Sequence, residues 1–282
     1  DWSSDVCSSD LMSGDNIQSV LQETRSFPPP AEFTRQANIS SEAQYQEMWQ
    51  RAKDDPAGFW GDLAQNLHWF KKWDHVIQGE MPDTKWFVGG KINASYNCLD
   101  RHVDAGLGDR IALLFEGEPG DRASYTYQEL LNETKKAANA LLSLGINEGD
   151  RVVIYSPMIP ETIIAMLAVA RIGAVHSVVF GGFSADALRN RINDAEAKLV
   201  ITADGGFRKG KAHELKVAVD EALAENSCPS VEKTLVIQRT NSEITMNENE
   251  FWWHEELAKS DKEHVAKGFD AEHPLFILYT SG

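Results

Sequence analysis

From Arg110 onward the chain repeats one unit, a short apolar run, a turn and an amphipathic stretch, and this rhythm restricts the fold more than any other feature. The runs Arg151–Tyr155, Ala174–Phe180, Lys198–Ala203, Thr234–Arg239 and Leu275–Tyr279 are nearly continuous in apolar residues. A strand with one wet face alternates, whereas a continuous apolar run suits a strand covered on both faces, the pattern of parallel sheets. Between the runs lie helix signals. Thr126-Tyr127-Gln128-Glu129 is a T-x-x-E capping box. It is followed by Leu130, Thr134, Ala137, Leu141 and Leu144 on one face and by Gly145 as a left-handed cap. Pro160 opens a helix that Gly173 stops, and Ser184 caps one carrying Leu188, Ile192 and Ala195. Further helices are expected from about Lys211 to Ala224 and near Phe251–Leu257. Ile111–Phe115 and Ser124–Thr126, joined by the turn Glu118-Pro119-Gly120-Asp121, read as a hairpin ahead of this array. The implied fold class is α/β, a mostly parallel sheet with helices on both faces.

A different texture precedes it. The chain starts at Asp1, and residues 1–11 form a Ser- and Asp-rich stretch without periodicity, read as a non-native leader before Met12. Phe27-Pro28-Pro29-Pro30 favours polyproline II geometry. Ser40 or Ser41 then caps a helix with Tyr45, Met48, Trp49 and Ala52 on one face. Pro56 opens another with Phe59, Trp60, Leu63 and Leu67. Six of the eight tryptophans fall in the leader or between Trp49 and Trp86, a density that predicts attachment to a larger body by aromatic burial. Residues 12–106 are therefore expected to form a helical and loop extension, and residues 107–282 the first part of a larger domain. That domain reads as incomplete, because Thr280-Ser281-Gly282 begins a small-residue loop after a strand expected to be buried and the sequence stops there.

Charge and cysteine content narrow the function. With 27 Lys and Arg against 43 Asp and Glu, the net charge of −16 speaks against a nucleic-acid binder, which needs clustered cations. The longest apolar run, Ile163–Ala170, is far short of the roughly 20 residues that span a bilayer, and no secretory signal precedes it. Cys7, Cys98 and Cys228 are odd in number and contain no C-x-x-C pair, which fits a reducing cytoplasm. Cys98 and His102 stand at helical spacing, but two ligands do not make a metal site.

In open α/β sheets ligands collect beyond the carboxyl ends of the strands. Three loops there carry candidate chemistry. Phe180-Gly181-Gly182, before the Ser184 cap, lets a ligand approach the backbone closely, although it lacks the G-x-G-x-x-G fingerprint. Gly205 to Lys211 fits G-x-x-x-x-G-K, yet Ala212 stands where a magnesium-binding Ser or Thr is required. What survives is the concentration of Arg208, Lys209 and Lys211 around Gly210, suited to a phosphate group or else a solvated basic turn. Thr280, Ser281 and Gly282 suit the threshold of a phosphate-cradling loop. No Ser-His-Asp, H-E-x-x-H or Cys-His set is visible, and no residue is assigned a catalytic role.

Longer motifs then give a resemblance. Lys85-Trp86-Phe87-Val88-Gly89-Gly90-Lys91-Ile92-Asn93, Asn97-Cys98-Leu99-Asp100-Arg101-His102 and Tyr155-Ser156-Pro157-Met158-Ile159-Pro160-Glu161 occur in order. They are followed by Arg171–Ser184 and by Ile201-Thr202-Ala203-Asp204-Gly205-Gly206. From about Pro28 to Gly282 the sequence resembles the N-terminal part of the AMP-forming acetyl-CoA synthetases, within the adenylate-forming superfamily. The resemblance implies a two-step ligase with acetate, ATP and CoA as small-molecule substrates and Mg2+ as an accessory ion held outside this stretch. It implies CoA binding by Phe180, Gly181, Gly182, Arg208, Lys209, Gly210 and Lys211, the basic residues facing the phosphorylated adenosine end. Family members often carry Arg where Lys211 stands, so the planar fork is lost there while the charge is kept. Thr280-Ser281-Gly282 matches the opening of the family's ATP phosphate loop. The acetate pocket, most of the ATP site and a C-terminal domain with a catalytic lysine are implied beyond Gly282. The 282-residue chain alone is thus expected to be inactive. A ligase for propionate or another short acid, and a non-catalytic CoA- or nucleotide-binding module, remain open; a downstream Ser-Thr-Gly-Lys distinguishes the last from a ligase.

Overall fold

The computed structural model describes residues 26–280, so the leader, Cys7, Ser281 and Gly282 lie outside the described residues. The chain divides into two units, Asp1–Phe59 and Trp60–Gly282.

In the first unit Pro30 has φ −54° and ψ 137°, polyproline II geometry, and leads into α1 (Ala31–Gln36). Helix α2 (Glu42–Asp54) is capped by Ser41, whose hydroxyl accepts the Gln44 N–H at 3.2 Å, while the Gln44 side chain accepts the Ser40 N–H at 2.9 Å. The apolar stripe of α2 forms as expected, but α2 buries no residue, and Tyr45 and Trp49 are about half exposed. Aromatic burial fails for this stretch. Trp49 instead sits under the Lys53 ammonium, 5.4 Å from the ring centroid. Helix α3 (Pro56–Ala64) follows, the Asp55 carboxylate accepting the Gly58 N–H at 2.9 Å.

The second unit begins with strands β1 (His75–Gln78) and β2 (Lys85–Val88), paired antiparallel, then β3 (Lys91–Ile92) and helix α4 (Ala94–Cys98). The tryptophans here are half-buried against one another rather than in the main core. Trp69 packs on Trp73 at 4.8 Å and on Phe87 at 5.3 Å, in edge and tilted geometries that suit the ring quadrupoles. Strands β4 (Ile111–Glu116) and β5 (Arg122–Thr126) form the expected hairpin. The capping box then opens α5 (Tyr127–Ser143) with both reciprocal bonds made, and α5 buries Leu130, Thr134, Ala137 and Leu141.

The parallel array follows: β6 (Arg151–Ser156), α6 (Pro160–Arg171), β7 (Val175–Phe180), α7 (Ala185–Ala195), β8 (Leu199–Ala203), β9 (Gly205–Arg208), β10 (Lys211–Glu214), α8 (Lys216–Leu223), β11 (Lys233–Ile237), β12 (Glu250–Trp252), α9 (Trp253–Lys259), β13 (Phe269–Asp270) and β14 (Phe276–Ile277). Six strands form one sheet in the order β12-β11-β8-β6-β7-β14, every neighbouring pair parallel. Helix α5 packs with both α6 and α9, and α7 packs with α8. These two groups lie on opposite faces, as right-handed crossovers running first one way and then the other from β6 require. The central strands β6 and β8 are buried on both faces: Val152, Val153, Ile154, Leu199, Val200 and Ile201 have no exposed surface.

Three expectations need correction. The helix placed from about Lys211 begins at Lys216, because residues 205–214 turn back on themselves as the hairpin β9–β10. Near Phe251, Glu250–Trp252 is the outermost strand β12 and only the following residues are helical. The final apolar run is not a buried strand but two residues paired on one side with β7, leaving Phe276 and Leu278 53% and 70% exposed. An edge position uncovers what a central one would hide.

A buried charge pair ties this unit together behind the sheet. Arg171, only 1% exposed at the end of α6, donates two bonds to Asp100 at 2.7 and 2.9 Å. It also donates to His264 Nδ1 at 3.1 Å and to the His264 carbonyl at 2.9 Å. Burial, then the charge of Arg171, lowers the His264 pKa and keeps Nδ1 free to accept.

Candidate functional site

The connection leaving β6 runs to β7 on one side, and the one leaving β8 runs to β11 on the other. Their divergence opens a crevice at the carboxyl ends of β6 and β8, where the topology of open α/β sheets collects ligands. The Gly-Gly loop after β7 lies across this crevice. A Cβ on Gly181 would meet the Ser156 carbonyl at 3.4 Å, and one on Gly182 would stand 2.6 Å from the Phe180 ring and 3.2 Å from Arg208 Nη1. A side chain at Gly182 would press on Phe180 and Arg208, whereas Gly181 has room for a Cβ, and the two glycines leave their peptide groups accessible to a ligand. Tyr155 holds the loop from beneath: its hydroxyl donates to the Phe183 carbonyl at 2.8 Å and is 3.4 Å from that of Gly181. Burial raises the Tyr155 pKa, so the phenol stays a donor.

The basic segment reaches the same crevice. The Arg208 guanidinium lies 6.0 Å from the centre of the Phe180 ring, which is itself 60% exposed. Phe180, Gly182 and Arg208, expected on separate loops, are thereby brought together. Lys209 and Gly210 form the hairpin tip with φ of 52° and 72°, the double positive φ of a two-residue I′ turn. The motif therefore opens no helix, and the helix N-terminus that a P-loop uses for phosphate is absent here. Among the described residues no carboxylate forms an ion pair with Arg208, Lys209 or Lys211, so three cations stand unneutralised. The Gly210 N–H donates to the Glu118 carboxylate at the tip of β4–β5, at 2.5 Å.

Two side chains outside the candidate set, Asp204 and Arg239, fix the root of this hairpin. Asp204 is fully buried, and its carboxylate accepts the N–H groups of Gly205, Arg239, Thr240 and Ser242 at 2.7, 2.7, 2.9 and 3.3 Å. Arg239 then lies over Phe207 and Phe115 at 5.1 and 5.5 Å and is bound by Asp121. That Arg239 contact lowers the Asp121 pKa.

Of the third loop the described residues include Thr280, which is exposed. The preceding Tyr279 donates its hydroxyl to Asp194 at 2.5 Å; burial and then this bond push its pKa up to about 12. Arg191 lies over both Phe183 and Tyr279, at 4.6 and 5.1 Å, and so links the approach to Thr280 with the Gly-Gly loop. Among the described residues no group of three or more His, Cys, Asp and Glu side chains gathers as a metal site. His102 packs on the Tyr127 ring at 4.8 Å. No helix of the described residues is long and apolar enough to cross a membrane.

Known proteins share both the sequence and the fold. Residues 45–98 match the acetyl-coenzyme A synthetase N-terminus family, and residues 99–282 match the AMP-binding enzyme family. The chain is 54% identical over 273 residues to an acetyl-coenzyme A synthetase of Streptomyces avermitilis, covering 96% of this chain and 41% of the relative. It is 49% identical over 270 residues to one of Deinococcus radiodurans, covering 95% and 41%. Among solved structures, the acetoacetyl-CoA synthetase from Streptomyces lividans superposes with a TM-score of 0.77 at 26% identity, over 90% of this chain and 40% of that one. The chain thus spans about two fifths of the length of the curated relatives it matches. With its parallel sheet, its crevice and a match over residues 99–282, the chain belongs to the AMP-binding enzyme family.

Proposed function

We propose that this chain is the N-terminal portion of an acetate–CoA ligase. In the full-length protein a carboxylate oxygen of acetate attacks the α-phosphorus of ATP and displaces pyrophosphate. The CoA thiol then attacks the acetyl carbonyl of the adenylate, loses its proton, and releases AMP. The part assigned to this chain is to hold CoA and to begin the ATP phosphate loop. Phe180, Gly181 and Gly182 offer a flat, bare backbone edge to CoA, and Arg208, Lys209, Gly210 and Lys211 face its phosphorylated adenosine end. Thr280, Ser281 and Gly282 open the ATP phosphate loop. In this reading residues 12–106 are the extension and residues 107–282 the first part of the large domain, working in the cytoplasm with Mg2+ held by residues outside this chain.

One observation carries the reading: the exposed Phe180 ring, the bare Gly182 and the unneutralised Arg208 share one crevice at the carboxyl ends of the sheet. A guanidinium beside exposed backbone recognises phosphate by charge and by its planar fork. The test is Arg208→Glu in the full-length enzyme. The CoA concentration needed for half-maximal rate should rise about tenfold or more, the weight of one charge-assisted contact, with ATP–pyrophosphate exchange unchanged. Equal loss of both half-reactions would refute the assignment.

A further inference from the structure

The tip of the basic hairpin already carries an anion, and it comes from the chain itself. Two contacts bring it there. The Arg239 guanidinium is bound by Asp121 through two bonds, at 2.6 and 3.0 Å, and lies between the rings of Phe115 on β4 and Phe207 on β9. One side chain thus clamps the β4–β5 hairpin against the β9–β10 hairpin. From the clamped tip Glu118 reaches across and accepts the Gly210 N–H at 2.5 Å.

The chemistry of this contact is that of anion recognition. Gly210 follows Lys209 in the I′ turn, with Arg208 and Lys211 as the residues that flank the two-residue tip. A backbone donor at the tip of a turn that carries three unpaired cations suits a phosphate oxygen. Glu118 occupies that donor without forming an ion pair with any of the three cations among the described residues. Glu118 itself is solvent-exposed, so its side chain can leave by a rotamer change while the Asp121–Arg239 clamp stays closed.

We infer that Glu118 is an internal competitor for the phosphate position of the basic hairpin: a phosphate monoester bound there must displace its carboxylate, and Glu118 thereby sets the affinity and the preference for phosphorylated ligand. The inference rests on the CoA reading of the hairpin given above. It adds a residue about 90 positions upstream that opposes binding, where every other residue of the site favours it.

The test is calorimetric titration of the 282-residue chain with CoA and with dephospho-CoA, which lacks the 3′-phosphate. The variants are Glu118→Ala, Glu118→Gln and Arg208→Glu. Glu118→Ala should bind CoA about fivefold more tightly than the unaltered chain, the weight of one exposed hydrogen bond. Glu118→Gln should fall between them, because an amide oxygen still accepts but carries no charge. Binding of dephospho-CoA should be the same for the unaltered chain, Glu118→Ala and Glu118→Gln. Unchanged or weaker CoA binding by Glu118→Ala, with Arg208→Glu still weakening it, overturns the competitor and leaves the site standing. Equal tightening of CoA and dephospho-CoA also overturns it, since the gain would not arise at the phosphate. CoA affinity that ignores Arg208→Glu, or no CoA binding at all, overturns the hairpin site itself.

Discussion

Asp204 is the single residue whose loss should most disturb the site without touching a ligand. Its carboxylate has no exposed surface and makes no ion pair among the described residues; it is held instead by backbone N–H groups. One oxygen accepts from Gly205, Arg239 and Thr240 at 2.7, 2.7 and 2.9 Å, and the other lies 3.2 and 3.3 Å from the Thr240 and Ser242 nitrogens. Asp204→Ala would strand these donors in a dry position. An unsatisfied buried donor costs about 1–3 kcal/mol, and partial relaxation among neighbours brings the sum to about 3–5 kcal/mol. Asp204→Asn can keep one accepting oxygen on the three shortest bonds while its amide nitrogen faces Ser242, a loss of about 1–2 kcal/mol. Urea titration followed by tryptophan fluorescence should rank the native chain above Asp204→Asn and that above Asp204→Ala. Because these donors root both the β9–β10 hairpin and the Arg239 clamp, CoA binding by Asp204→Asn should weaken in step. A native-like midpoint for Asp204→Ala, or equal losses for the two variants, would refute the account.

Two further outcomes follow from buried ionisable groups. His176 on β7 is 7% exposed, stacks on Phe276 at 5.8 Å, and has no partner for Nδ1, so burial pushes its pKa down to about 4. The unfolded chain takes up a proton near pH 6.5 that the folded chain refuses until about pH 4, so stability falls as pH drops through that window and is unaffected above it. The loss between pH 7 and 5 is on the order of 2 kcal/mol. His176→Gln should lose less over the same descent in urea titrations, and equal losses would count against the mechanism. Asp100→Ala removes the carboxylate facing Arg171 and leaves a guanidinium buried with only His264 as partner, a cost of about 3–5 kcal/mol in the same assay. A loss under about 1 kcal/mol would show that the pair is dispensable.

The parallel core is legible in the sequence because strands buried on both faces have no reason to alternate. Val152-Val153-Ile154 and Leu199-Val200-Ile201 run unbroken, and each of these side chains is fully buried in the sheet. Helix starts are legible for a local reason: Ser184 accepts the Ala187 N–H, Thr126 the Glu129 N–H, and Pro160 needs no donor. Where the pattern misleads, the competing term is not local. Lys209-Gly210 lacks the Asn-Gly or Asp-Gly signature of a I′ turn, so the hairpin hides inside what reads as a helix start. Glu250–Trp252 is too short for periodicity to register and is a strand because β11 offers it an edge. The tryptophans from Trp69 to Trp86 read as anchors into a core, yet they satisfy one another at the surface.

The site is legible as loops and illegible as a constellation. Gly181, Gly182 and Arg208 announce themselves by composition, but nothing near Arg208 in sequence says that it will lie against Phe180. The residues that tie these loops together are Tyr155, Asp204, Arg239 and Arg191, and Glu118 reaches the same tip. Each acts across a gap in sequence that periodicity cannot bridge. Two of them do carry a signal: Tyr155 puts a hydroxyl near the end of an otherwise apolar strand, and Asp204 puts a carboxylate directly after one. A polar group at the buried carboxyl end of a parallel strand has to find donors or acceptors in the loops above it, so it marks which loops will be tied together. The charge follows the same logic. In a chain of net charge −16, three cations within four residues and without carboxylate partners among the described residues concentrate positive charge at one hairpin tip. The Glu118 carboxylate reaches the tip but binds the Gly210 backbone N–H, so the three charges stay unpaired among the described residues while the backbone donor is taken.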